Sequence, residues 1–273
     1  MANLNEALGT ANDGETRHIV SLSGGKDSTA LAIFMRQQYP ELPLEYVFCD
    51  TGAELPETLE YFERLEAVLG QEITRVTALD ELGVEEKGKR TPFDFWLDEA
   101  YGGYLPNPQA RWCTRVLKIR PFERYVGTST AYSYIGIRGD ENRAGYQQQG
   151  SKPPVFSEKP NILPVYPFKE HGIGLTEVKR LLEEAGLGLP EYYQWRSRSG
   201  CYFCFYQQIG EWQGLKERHP ELFKKAKSYE RIKNDKKFTW RQGQPLETLE
   251  SFKKRYEVPG PDDIENGCAI CHL

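Results

Sequence analysis

No stretch of this 273-residue sequence approaches the roughly 20 consecutive apolar residues that a membrane-spanning helix needs. Met1 to Thr16 is polar and acidic and holds no apolar core of a secretory signal. The expectation is a mobile leader, residues 1–16, on a cytoplasmic protein with no membrane partner. A strong charge of one sign is also missing. Lys and Arg number 35 against 40 Asp and Glu, giving a net −5 and a pI near 5.6. That balance excludes a uniformly basic nucleic-acid coat but leaves room for a local basic face. No internal repeat or low-complexity tract occurs, which excludes repeat architectures. The Walker A pattern Gly-x-x-x-x-Gly-Lys-[Ser/Thr] is absent, so an ordinary kinase or GTPase phosphate loop is excluded. Cysteine is scarce at six residues. Without a secretion signal, those six suit metal binding or chemistry in a reducing compartment better than disulfides.

What is present begins with Ser23-Gly24-Gly25-Lys26-Asp27-Ser28. His18–Leu22 ahead of it reads as an apolar strand, and Thr29–Met35 behind it as a buried helix. Ser-Gly-Gly between strand and helix puts free backbone where the chain turns sharply and a ligand can approach. The N–H groups of the turn and helix start then face one spot, suited to an anion such as pyrophosphate. Lys26 adds a full charge, Ser23 and Ser28 add hydroxyls, and Asp27 can orient a loop amide or hold a metal. A plain turn with Ser28 as N-cap is the simpler reading, but it leaves the adjacent Lys26 and Asp27 unexplained. The hexapeptide closely resembles the PP-loop of the ATP pyrophosphatases, the adenine-nucleotide α-hydrolases. That resemblance implies their parallel-sheet α/β fold, cleavage of ATP to AMP and pyrophosphate, and Mg²⁺ bridging phosphate oxygens.

Further strands follow at Leu44–Phe48 and Ile73–Val76. A helix from Pro56 separates them, with Leu59, Phe62, Leu65 and Leu69 at helical spacing. Such alternation predicts βαβ units and a parallel sheet with ligands at the carboxyl ends of its strands. Asp50-Thr51-Gly52 falls at such an end. Asp50 can serve equally as a helix cap, but the PP-loop families carry a similar segment beside the nucleotide. Residues 80–110 mix charges, aromatics, Gly and Pro, and predict an irregular lid. Ser133–Ile137 reads as a strand running into Arg138-Gly139-Asp140-Glu141-Asn142-Arg143. Two arginines on a glycine loop suit bidentate phosphate or sulfate recognition, a solvated turn being the alternative. Asn161–Val165 contains Pro164 and predicts an edge strand. Leu175–Ala185 is an amphipathic helix closed by Gly186. The resemblance places Ser21, Ser23, Gly24, Gly25, Lys26, Asp27, Ser28, Asp50, Thr51, Gly136 and Arg143 at the nucleotide. It gives chemical roles to Lys26, Asp27, Asp50 and Arg138, with Arg138 or Arg143 on an acceptor phosphate.

The cysteines form a second pattern. Arg111-Trp112-Cys113-Thr114-Arg115 and Lys118 surround one thiol with cations, a setting that lowers a thiol pKa. A small buried hydrophobe explains Cys113 equally well. Downstream stand Gly200-Cys201-Tyr202-Phe203-Cys204 and Gly267-Cys268-Ala269-Ile270-Cys271-His272. Two Cys-x-x-Cys pairs suit tetrahedral Zn²⁺ or an iron–sulfur cluster, and spacing alone does not choose. Cys268-x-x-Cys271-His272 also fits haem attachment, which needs an export signal that the sequence lacks. The Arg111–Pro121 segment resembles that of the phosphoadenylylsulfate (PAPS) and adenylylsulfate reductases, and more closely that of the DNA-phosphorothioation ATP pyrophosphatases. The resemblance implies a [4Fe–4S] cluster on Cys113, Cys201 and Cys204, completed by Cys268 or Cys271. The reductases carry two adjacent cysteines where this chain has Cys113 alone.

Gln213–Tyr256 holds 13 Lys and Arg against 6 Asp and Glu, interleaved with aromatics. Solvated helices with aromatic cores would look the same; the functional reading is a face for a nucleic-acid backbone. The expected organisation is a nucleotide-binding α/β domain over 17–190 and a Cys-containing, basic, mainly helical region over 191–273. The expected function is ATP pyrophosphatase and sulfurtransferase, adenylating a nucleic-acid group for sulfur transfer. Its acceptor is DNA first and tRNA second, with a cysteine desulfurase as sulfur donor and other subunits of a modification complex as partners. A PAPS or adenylylsulfate reductase and a silent nucleotide-binding subunit are the alternatives.

Overall fold

The computed structural model describes residues 2–80, 90–141, 157, 159–230, 232–233, 236–241, 243–249, 251, 255–258 and 260. Strands β1 (Arg17–Leu22), β2 (Leu44–Asp50), β3 (Thr74–Thr77), β4 (Ala131–Tyr134) and β5 (Ile162–Val165) form one sheet, ordered β3-β2-β1-β4-β5. Every neighbouring pair in it is parallel, and Val20 lies beside Tyr46 on one side and Tyr134 on the other. The chain winds outward from β1 through β2 to β3, then returns to place β4 on the other flank of β1. The order therefore reverses between β1 and β4, and the crevice at their carboxyl ends is where such sheets take ligands. Pro164, which has no N–H for a second neighbour, lies in the edge strand β5 as expected.

The helices are α1 (Leu4–Leu8), α2 (Lys26–Gln38), α3 (Pro56–Leu69), α4 (Pro92–Glu99), α5 (Trp112–Thr114), α6 (Arg120–Val126), α7 (Pro167–Glu170) and α8 (Leu175–Glu184). They continue in the C-terminal region as α9 (Ile209–Arg218), α10 (Pro220–Ser228) and α11 (Leu246–Leu249), with a short hairpin β6 (Ile232–Lys233) and β7 (Lys236–Lys237). Between α5 and α6, Arg115–Ile119 winds as a π-helix, a widening often found at functional sites.

Strand alternation builds the two faces of the sheet. Val20, Leu22, Tyr46 and Phe48 point to one side, where they pack with Leu31, Phe62, Leu65 and Leu182. Ile19, Val47 and Cys49 point to the other, where they meet Phe122 and Ile135. Three parts differ from expectation. The expected leader carries α1, capped reciprocally by Asn3 and Glu6 and docked through buried Leu4 and Ala7. Within the expected irregular lid, Thr91 and Asp94 form a capping box and Pro92 starts α4. The strand expected over Ser133–Ile137 ends at Tyr134, because its partner β5 ends at Val165. A separate apolar cluster joins Phe93, Trp112 and Leu117 to Phe203, Trp212 and Trp240. The aromatics of the basic segment are thus largely core.

Candidate active site

Residues 23–28 join β1 to α2 at that crevice. Gly24 has φ +71°, and a Cβ on it would lie 2.4 Å from Thr58 Cγ2; only glycine suits the turn. Ser23 N–H donates to Ser28 Oγ at 3.1 Å, and the Ser28 hydroxyl donates to the Gly25 carbonyl at 3.2 Å. Gly136, just beyond β4, closes the crevice: a Cβ there would stand 2.9 Å from the Asp27 carbonyl oxygen. Ser21 is buried within β1, its hydroxyl 3.4 Å from that of Ser133.

Lys26 and Asp27 are only 5% and 4% exposed. Lys26 Nζ donates to Asp27 Oδ2 at 3.1 Å, and Arg138 Nη1 donates to Asp27 Oδ1 at 3.0 Å. Arg138 also pairs with Asp140 at 2.8 Å and Glu141 at 3.2 Å. Burial opposes the Lys26 charge, but Tyr193 and Asp27 outweigh it and hold its pKa above the ordinary value. Burial likewise opposes the Arg138 charge and is outweighed by Asp27 and Glu141. Arg143, the second arginine of the reading, lies outside the described residues.

Asp50 and Thr51 stand at the end of β2. Asp50 Oδ1 accepts the Gly52 N–H at 2.7 Å. Thr51 Oγ1 donates to Glu54 at 2.6 Å and sits 3.3 Å from Cys201 Sγ. Burial, then the Asp50 carboxylate, raise the Glu54 pKa to about 7. This adjacent carboxylate pair has the donor chemistry to hold the Mg²⁺ that accompanies a nucleotide. Glu54 was not among the sequence candidates; its only signal is its place three residues after Thr51.

Thr51, Cys113, Lys118, Cys201, Cys204 and Tyr206 line a cavity of about 40 Å³. Burial pushes the Cys113 thiol up to about 12, with the thiols of Cys201 and Cys204 adding to it. Burial also takes Cys201 to about 12. The expected lowering of the Cys113 pKa is therefore overturned. Arg111, just ahead of α5, and Arg115, at the start of the π-helix, are exposed, while Cys113 is largely buried and, of these cations, meets Lys118. Cys49 is buried in the core with its thiol aimed at the Lys118 carbonyl, 3.4 Å away. Three of the four expected sulfurs line one space, and thiolates are the donor type that zinc or an iron–sulfur cluster takes. Among the described residues, no group of three or more His, Cys, Asp or Glu is set closely enough to hold an ion. Cys268 and Cys271 lie outside the described residues.

One strap ties loop and cavity together, and sequence reasoning missed it. Tyr192 hydroxyl donates to the Gly24 carbonyl at 2.6 Å, and Lys26 N–H reaches Tyr193 Oη at 3.4 Å. A Cβ on Gly25 would lie 2.7 Å from Ser199 Oγ. Fully buried Arg196 donates to the carbonyls of Gly200 at 3.0 Å and Cys201 at 2.7 Å. It thereby shapes the turn, at Gly200 φ +127°, that delivers Cys201.

Comparison with known proteins bears on this arrangement. Two uncharacterized proteins of Methanocaldococcus jannaschii are 28% and 27% identical over 213 and 208 residues, covering 76% and 75% of this chain. The chain spans 40% and 45% of their lengths. An uncharacterized 37.8 kDa protein of Escherichia phage 186 is 26% identical over 261 residues, 80% of this chain and 75% of that one. Among solved structures, the PAPS reductase of Candida auris superposes with TM-score 0.45 at 14% identity, over 68% of this chain and 81% of that one. The U34-tRNA thiolase NcsA of Methanococcus maripaludis, solved with its [4Fe–4S] cluster, gives 0.42 at 16%, over 94% and 78%. The family model described as the phosphoadenosine phosphosulfate reductase domain matches residues 17–213. From β1 to α9, loop, strap and thiol cavity included, the chain belongs to the phosphoadenosine phosphosulfate reductase domain family.

Proposed function

We propose that this chain is an ATP pyrophosphatase that adenylates a nucleic-acid phosphate, that of a DNA backbone, for exchange of an oxygen by sulfur. The observation that carries the reading is a juxtaposition. A complete Ser-Gly-Gly-Lys-Asp-Ser loop touches Ser199, and two residues further Cys201 enters a cavity shared with two more thiols. This nearness supports a reading in which phosphoryl activation and sulfur handling share one crevice. In the first step an acceptor phosphate oxygen attacks the α-phosphorus of ATP, the α–β bridging bond breaks, and pyrophosphate leaves. The amides of residues 23–28 and the Lys26 ammonium face the charge that grows on it. Arg138 holds Asp27, and Asp27 holds Lys26, so that charge is fixed in place before reaction. Asp50 and Glu54 would be the acidic donors for Mg²⁺. In the second step the outer sulfur of a persulfide attacks the acceptor phosphorus and AMP leaves. A second thiol then forms a disulfide with the carrier and frees the phosphorothioate. The persulfide comes from a cysteine desulfurase. A [4Fe–4S] centre on Cys113, Cys201 and Cys204 with Cys268 or Cys271 would supply thiophilic, redox-capable chemistry; zinc there would supply a crosslink alone.

The test is release of pyrophosphate and AMP from ATP by the full chain, with and without DNA. Membership of the reductase-domain family supports a second reading, a PAPS or adenylylsulfate reductase. Sulfite released from PAPS by a thiol reductant, without pyrophosphate from ATP, would select it. AMP formation stimulated by tRNA and not by DNA would move the acceptor to tRNA.

A further inference from the structure

We infer that Arg198 receives a phosphoryl oxyanion in the gap between the glycine loop and the thiol cavity. Arg198 occupies the strap that joins the two. The next residue, Ser199, holds its hydroxyl 3.5 Å from that of Ser23 in the loop. The guanidinium carbon of Arg198 lies 5.6 Å from the centre of the Tyr206 ring, and Tyr206 lines the thiol cavity. Nε and Nη1 of Arg198 are both shielded from solvent and neither has a hydrogen-bond partner.

That last fact needs a cause. Arginine stays charged at any working pH, so two of its donors buried and unpaired are a standing cost to the fold. The cations around it are engaged elsewhere. Arg138 is taken by Asp27, Asp140 and Glu141, and Lys26 by Asp27. Arg196 gives Nη1 and Nη2 to backbone carbonyls. Arg196 leaves one donor, Nε, without a partner, whereas Arg198 leaves two and spends none on the described residues, so its guanidinium is free to meet two oxygens of a phosphoryl group.

Position decides the ligand, and here the inference rests on reading residues 23–28 as a nucleotide loop. A group bound at Arg198 lies between the loop that takes the leaving pyrophosphate and the thiols that handle sulfur. The phosphorus that changes partners belongs there. Its phosphoryl oxygens come either from the nucleotide, as the α-phosphate, or from the acceptor backbone.

Arg198→Met and Arg198→Lys in the full chain test this by calorimetric affinity for two probes, AMP and a short single-stranded DNA, alongside thermal melting. The Met variant is expected to weaken at least one probe by about ten- to a hundredfold, the usual effect of losing a hydrogen bond to a charged group. The Lys variant should recover part of it, and melting should stay or rise. Loss for AMP alone assigns the nucleotide's phosphate; loss for DNA alone assigns the acceptor's. Unchanged affinity for both probes in both variants overturns the inference. So does a loss that Lys does not recover and that tracks a lower melting temperature, which would mark a structural arginine. If the Met variant does not fold, the Lys variant is read against wild type for the same two affinities. Wild-type protein that releases no pyrophosphate, yet loses phosphate affinity on substitution of Arg198, would sink the proposed function and leave this site standing.

Discussion

Asp27→Ala is expected to damage stability and chemistry together, and the two effects separate by measurement. The carboxylate accepts from Lys26 at 3.1 Å and from Arg138 at 3.0 Å, and all three side chains are at most 10% exposed. Removing it strands a buried ammonium, while Arg138 keeps Asp140 and Glu141. Breaking a buried pair costs about 3–5 kcal/mol, and the surviving partners of Arg138 put this case near about 3 kcal/mol. For a chain of this size that corresponds to a melting temperature lower by roughly 6–12 °C. Asp27→Asn keeps the shape and one acceptor and should lose less. Turnover of ATP to AMP, assayed well below the variant's melting point, should fall by about a hundredfold or more, because Lys26 is no longer held against the leaving group. An Ala variant that melts within about 2 °C of wild type would refute the buried-triad argument. One that melts early yet turns over normally when folded would refute the catalytic one.

Three more outcomes are expected. Glu54 has its pKa raised in the fold to about 7; such a carboxyl stabilises fully below its unfolded value and loses that contribution as pH rises through the folded one. Melting temperature should therefore fall between about pH 5 and 7 and level off above, and Glu54→Gln should flatten the curve; an unchanged curve counts against the raised value. Cys113→Ser should bleach the visible absorption and remove iron from anaerobically prepared protein while ATP binding persists, since the glycine loop is a separate element. Unchanged metal content with a colourless, zinc-bearing wild type would select the structural-zinc alternative. Neutralising Lys224, Lys225 and Lys227 on α10 should reduce the salt dependence of DNA binding, its slope falling by up to about 0.9 for each phosphate left without a cation; Lys225 also pairs with Asp94 at 3.2 Å, so its share is smaller. No binding at low salt would leave the basic face a solvated one.

The parallel sheet was legible because its strands are short apolar runs alternating with helical spacing, and Pro164 announced the edge. The crevice was legible too, since Ser23–Ser28 and Asp50–Gly52 each follow a strand. What stayed hidden depends on partners distant in sequence. The burial of Lys26 and Asp27 needs Arg138, 111 residues beyond Asp27. Tyr192 reaches Gly24 across 168 residues, and no local pattern announces that bond. Cys113 misled for a different reason: Arg111 and Arg115, two residues to either side of it, are turned to solvent while its own thiol is buried. In α4, the capping signal Thr91–Asp94 was present but lay inside a stretch of mixed composition.

The aromatic cluster that spans both halves of the chain has a mechanical consequence. Phe93 lies 4.2 Å from Phe203 between ring centres, and Phe203 stacks on Trp240 at 4.8 Å. Swinging the Cys201–Cys204 segment away from the sheet would unseat these rings, and each large apolar side chain brought into water costs about 1.5–3 kcal/mol. The spacing between glycine loop and thiols is therefore set by the aromatic core rather than by the loops themselves.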